Sequence, residues 1–126
     1  TASLYFDIFR NMNQKDTVMA LAALAQESRL AVFRLLVQRG PDGYPAGEIS
    51  ERLAIPGPTL SFHLKELAAA GLVAARKDGR FIYYSPSFER MRTLVSYLTD
   101  NCCSLAATCA PECAAPVATR RKRKSA

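Results

Sequence analysis

The sequence predicts a mainly α-helical fold carrying one β-hairpin, and three observations point there. Apolar residues recur at steps of three and four over 16–39, 60–67 and 88–102, the spacing of a buried helix face. Proline and glycine clusters at 40–45 and 55–58 cut that pattern into short helices. Two short runs flank Asp78-Gly79, a pair that readily takes the positive φ angles of a two-residue hairpin turn.

Along the chain, Leu21, Leu24, Leu30, Phe33, Leu36 and Val37 mark two helices, the second over 28–38 after an interruption at Ser28-Arg29. A loop follows at 40–45, then a short helix over 46–53 with Ile49 and Leu53 on one face. Pro58 fits a first helical turn but no helix interior, so Ile55-Pro56-Gly57-Pro58-Thr59 ends that helix and begins the next. There Leu60, Leu64 and Leu67 face the core, which leaves Thr59, Ser61, Phe62, Lys65 and Glu66 outside, and Gly71 caps the C-terminus. The hairpin pairs 72–77 with 80–85. In the last helix, 88–102, the stripe Phe88, Met91, Val95, Leu98 and Cys102 suits packing along another helix, including one from a second subunit.

At 126 residues, with 49% apolar and 22% charged side chains, the chain is long enough for one domain with a core. The boundaries are read as an N-terminal segment at 1–15, a domain at 16–113 and a basic, weakly ordered tail at 114–126. Thr1 is not an initiator methionine and Met12 offers a start, so 1–11 is read as partly foreign to the protein. No apolar run approaches the ~18 residues of a membrane span, and no export signal is visible, so a cytoplasmic protein is expected. The net charge of +6 falls to +1 without Arg120, Arg121, Lys122, Arg123 and Lys124. Nucleic-acid binding therefore has to be argued from local clusters.

Helix, turn, helix and hairpin in that order describe a winged helix-turn-helix. Such a unit lays its second helix in the major groove of double-stranded DNA while the hairpin reaches neighbouring phosphates. Arg76, Lys77 and Arg80 around the hairpin tip supply the charge. His63, the only histidine, reads as a packed structural residue, since no second ligand lies near it in sequence. Ser61 has neither a base nor an oxyanion site with which to act as a nucleophile. No enzyme activity or catalytic cofactor is expected.

Ser28-Arg29-Leu30, Leu60-Ser61-Phe62-His63-Leu64-Lys65-Glu66-Leu67, Ala70-Gly71-Leu72-Val73, and Gly79-Arg80 with Tyr83-Tyr84 resemble the ArsR/SmtB family of bacterial metal-sensing repressors. The match runs from about Asp16 to Cys109. The resemblance implies a homodimer built from the first and last helices, which leaves operator DNA when an inducer binds. It also places Thr59, Ser61, Phe62 and Lys65 on the exposed face of the recognition helix.

The inducer is sought among Cys102, Cys103, Cys109 and Cys113, the only cysteines. The Cys-x-Cys pair that many arsenic sensors carry is missing from 48–53, and 90–101 holds none of the histidines of zinc sensors. Asn101-Cys102-Cys103 followed by Cys109 resembles arsenic repressors whose site closes the last helix; Cys113 lies outside that pattern and is a candidate accessory ligand. Three thiolates around an atom with a lone pair suit As(III) or Sb(III). Four would suit zinc or cadmium, and neighbouring thiols can also oxidise, so these readings stay open. In an unbroken helix Cys102 and Cys109 would stand about 10 Å apart along the axis, so the helix is expected to stop near Cys103 and fold back. Helical geometry would also point Cys102 and Cys103 about 100° apart, requiring one to rotate on binding. The basic tail either adds nonspecific DNA affinity or is simply solvated.

Overall fold

The computed structural model describes residues 12–108. Among these residues five helices and three strands follow in the order α1 (Gln14–Leu24), α2 (Glu27–Arg39), β1 (Tyr44–Pro45), α3 (Ala46–Leu53), α4 (Gly57–Ala69), β2 (Val73–Asp78), β3 (Phe81–Pro86) and α5 (Phe88–Thr99). The strands form one antiparallel sheet in the order β1-β3-β2. This is a winged helix-turn-helix, with α3 and α4 as the helix pair and β2–β3 as the wing.

Local chemistry sets the helix ends. Asn13 caps α1 by accepting the Asp16 N–H at 2.8 Å, and Gln26 caps α2 by accepting that of Arg29 at 2.9 Å. Arg29 Nε also donates to the Ala23 carbonyl at 2.6 Å, so the Ser28-Arg29 interruption is where α2 is tied back to α1. Helix α4 ends in a Schellman motif: Leu72 N–H donates to Leu67 O at 3.0 Å and Gly71 N–H to Ala68 O at 2.9 Å, with Gly71 at φ +78°. Leu67 and Leu72, the hydrophobic pair of that motif, are both fully buried.

The core gathers Ala20, Val32, Phe33, Leu36, Ile49, Leu60, Leu64, Leu67, Leu72 and Leu94. Helix α1 contributes Thr17, Ala20 and Ala23, small side chains that let it lie close on its neighbours. Leu21 and Leu30, expected to face inward, are 41% and 44% exposed. On α5 the buried residue is Leu94, while Val95 and Leu98 are 57% and 58% exposed.

Three expectations need correction. The loop at 40–45 contains strand β1, whose Tyr44 and Pro45 pair with Tyr84 and Tyr83; two residues, one of them lacking an N–H, leave almost no strand signature. The wing turns on Gly79-Arg80, with Asp78 opposite Phe81. Gly79 has φ +69° and Arg80 does not have positive φ, the φ pattern of a type II′ turn with glycine first. Arg80 thus sits at the tip of the wing. Finally, α5 ends at Thr99, so Cys102 lies beyond the helix instead of on its stripe.

Candidate nucleic-acid interface and thiol site

Helix α4 divides cleanly into two faces. Leu60, His63, Leu64 and Leu67 are buried, whereas Thr59, Ser61, Phe62, Lys65 and Glu66 are exposed. Phe62 stands 54% exposed in the middle of the outer face. His63 is 7% exposed, as its structural reading requires, although its Nδ1 has no hydrogen-bond partner among the described residues. Its ring meets that of Phe62 at a centroid distance of 5.8 Å and a tilt of 56°.

The three wing cations are not equivalent. Arg76 lies over the Tyr83 ring at 5.1 Å and its Nη2 approaches the Asp42 carbonyl at 3.4 Å, so it braces the loop ahead of β1 against the sheet. Lys77 and Arg80 are exposed, and no hydrogen bond or ion pair engages either side chain among the described residues. Sequence reasoning missed a second cationic cluster, in which Arg39 and Arg52 lie 5.0 and 4.7 Å from the centroid of Tyr44. Arg52 also pairs with Glu48 at 3.0 Å. The Glu48–Arg52 spacing of four was legible; the approach of Arg39 depends on how β1 folds back.

Beyond α5 the chain runs through successive turns. Asp100 (φ −58°, ψ 139°) and Asn101 (φ +57°) form one closed by Cys102 N–H to Thr99 O at 3.2 Å, a type II turn with asparagine at its left-handed position. Cys102 and Cys103 are the central residues of the next, closed by Ser104 N–H to Asn101 O at 3.0 Å, with Cys103 at φ +64°. Their Sγ atoms lie 3.7 Å apart. Two sulfurs held tetrahedrally by one atom at the zinc–thiolate distance stand about 3.8 Å apart, so the pair already has a chelating bite. The 100° divergence expected of a helix does not apply, and neither sulfur has to rotate to meet the other.

Cys109 and Cys113 lie outside the described residues. Among those described, no three His, Cys, Asp or Glu side chains come together as a metal site. Nor is any helix among them long and apolar enough to cross a membrane.

Comparison with known proteins adds to this geometry. A family model described as a helix-turn-helix domain matches residues 24–76. The uncharacterised HTH-type transcriptional regulator YceK of Bacillus subtilis is 38% identical over 92 residues, covering 71% of this chain and 91% of that protein. A Halobacterium salinarum protein provisionally named arsenical resistance operon repressor ArsR is 34% identical over 79 residues, 63% of this chain and 60% of its own. Among solved structures, the homodimeric winged helix-turn-helix DNA-binding domain of Mb0332 from Mycobacterium bovis, a possible ArsR-family regulator, superposes with a TM-score of 0.57. It is 26% identical and covers 75% of this chain and 87% of that one.

Proposed function

Because the chain belongs to the ArsR/SmtB-type family of winged helix-turn-helix transcriptional regulators, we propose that it is a homodimeric operator-binding repressor released by a trivalent metalloid, As(III) or Sb(III). The observation that carries the inducer is the Cys102–Cys103 pair, two sulfurs 3.7 Å apart on one turn directly after α5. The similarity to a protein provisionally named for arsenical resistance supports the same chemistry.

In this reading Thr59, Ser61, Phe62 and Lys65 face the major groove, and Lys77 and Arg80 reach phosphates, with Arg76 acting mainly as a brace. The exposed Val18, Met19 and Leu21 of α1 and Val95 and Leu98 of α5 form the seam with a second copy. Cys102 and Cys103 take two valences of the metalloid and Cys109 the third, with Cys113 dispensable. Since the first two thiols are already adjacent, closing the site draws the chain carrying Cys109 back toward the end of α5. That movement beside the dimer seam alters the spacing of the two recognition helices, which must match half-sites about 34 Å apart.

Fluorescence anisotropy on a labelled operator duplex tests the reading. Arsenite or antimonite should release the DNA at near-stoichiometric amounts, with zinc and peroxide far less effective. Release by zinc or cadmium alone would assign a four-thiolate metal sensor, and release by peroxide alone a thiol redox sensor.

A further inference from the structure

Of the large apolar side chains on α4, Leu60, Leu64 and Leu67 are buried and Phe62 is not. It lies one turn after Thr59 and one turn before Lys65, at the centre of the outward face. Exposure of that much aromatic surface is unfavourable in the free protein, and its ring contact with His63 on the same helix leaves it 54% exposed. Phenylalanine has no donor or acceptor, so it has no use for most of what a major groove displays. The edges of guanine, cytosine and adenine there are hydrogen-bonding groups, and the thymine C5 methyl is the apolar one.

We propose that Phe62 is a specificity-determining residue that reads a thymine C5 methyl in each operator half-site. This inference rests on the reading of α4 as the DNA-facing helix. Lys65, on the same exposed face, together with Lys77 and Arg80 on the wing, supplies positive charge that holds this surface to the phosphates. The ring then covers the methyl and excludes water from it. A guanine or cytosine at that position would place a polar edge against the ring with no partner, so discrimination comes from the unpaired edge as well as from the lost apolar contact.

The test uses the full chain and an operator duplex selected by it from a randomised pool. Each thymine is replaced in turn by deoxyuridine, which removes only the methyl, and affinity is measured by anisotropy for wild type, Phe62→Leu and Phe62→Ala. One symmetry-related thymine per half-site should weaken wild-type binding about 3- to 10-fold when demethylated. Phe62→Leu should retain part of that sensitivity and Phe62→Ala should show less than a twofold response, with unchanged circular dichroism because the ring is exposed. Tight binding indifferent to every demethylation, or the same loss in Phe62→Ala as in wild type, overturns the assignment to Phe62 while leaving DNA binding intact. Failure to enrich any duplex overturns the DNA-facing reading of α4 and this inference with it.

Discussion

Cys102 and Cys103 present sulfurs 3.7 Å apart from the two central positions of a single turn. A disulfide between them would need the sulfurs to close to about 2.05 Å within one dipeptide. One larger atom bridging them needs almost no movement. Single Cys→Ser variants should therefore separate sharply. Loss of arsenite-driven release is expected in Cys102→Ser, Cys103→Ser and Cys109→Ser, and a full response in Cys113→Ser.

The same assay run against pH distinguishes the chemistries. Arsenous acid exchanges its hydroxyls for thiols and the thiol protons leave in water, so no net proton is released and arsenite affinity should stay nearly flat from about pH 6 to 8. Zinc displaces protons from thiols, and its binding strengthens as pH rises toward the ordinary thiol pKa of about 8.5. A steep rise for arsenite would contradict the assignment.

Replacing Val95 or Leu98 by Asp should turn the dimer into a monomer in sedimentation velocity without loss of helical circular dichroism. Both side chains are more than half exposed in the single chain, so the charge meets water there and desolvation only at the seam. DNA affinity should fall by an order of magnitude or more as the second half-site contact is lost.

The wing cations should separate in a salt titration. Arg80→Ala and Lys77→Ala should each flatten the slope of log K against log salt by about one unit. Arg76→Ala should leave the slope nearly unchanged and instead lower the melting temperature slightly, because its stacking on Tyr83 at 5.1 Å is an internal contact of about 0.5–1 kcal/mol.

Gly43 has φ +72°, and a Cβ added there would run into the Tyr84 carbonyl, a backbone group that cannot swing aside. Gly43→Ala should cost about 2 kcal/mol or more in urea denaturation. Gly47, inside α3 with open space around it, is the control, and Gly47→Ala should stabilise by about 0.5–1 kcal/mol.

These contrasts mark what the sequence could and could not reveal. The helix pair and the faces of α4 were legible because Pro58, Gly71 and the Leu60–Leu64–Leu67 spacing act locally. The turn of the wing was off by one position because Asp78-Gly79 and Gly79-Arg80 are both acceptable to the backbone, and cross-strand register, Asp78 opposite Phe81, chose between them. Leu21 and Leu30 fit the helical spacing yet are 41% and 44% exposed, because spacing alone does not say which apolar residues of a helix meet the core. Strand β1 and the stacking of Arg39 and Arg52 on Tyr44 depend on chain segments meeting across the sheet, which no local pattern encodes. At the thiol site the residue types were legible, but the turn that joins two sulfurs was not, since a left-handed Cys103 is unexpected for a residue with a side chain.

Among the described residues the hydrophobic core draws on nothing past Leu94, and the first thiol stands eight positions further on. Mutations at Cys102, Cys103 and the turn that carries them should therefore be nearly neutral for folding, so natural selection can act on ligand preference without a stability threshold in the way. Gene lineages sharing this DNA-reading scaffold would be free to lose, move or replace their sensory residues within a few substitutions, and inducer chemistry should diverge faster than the fold that responds to it.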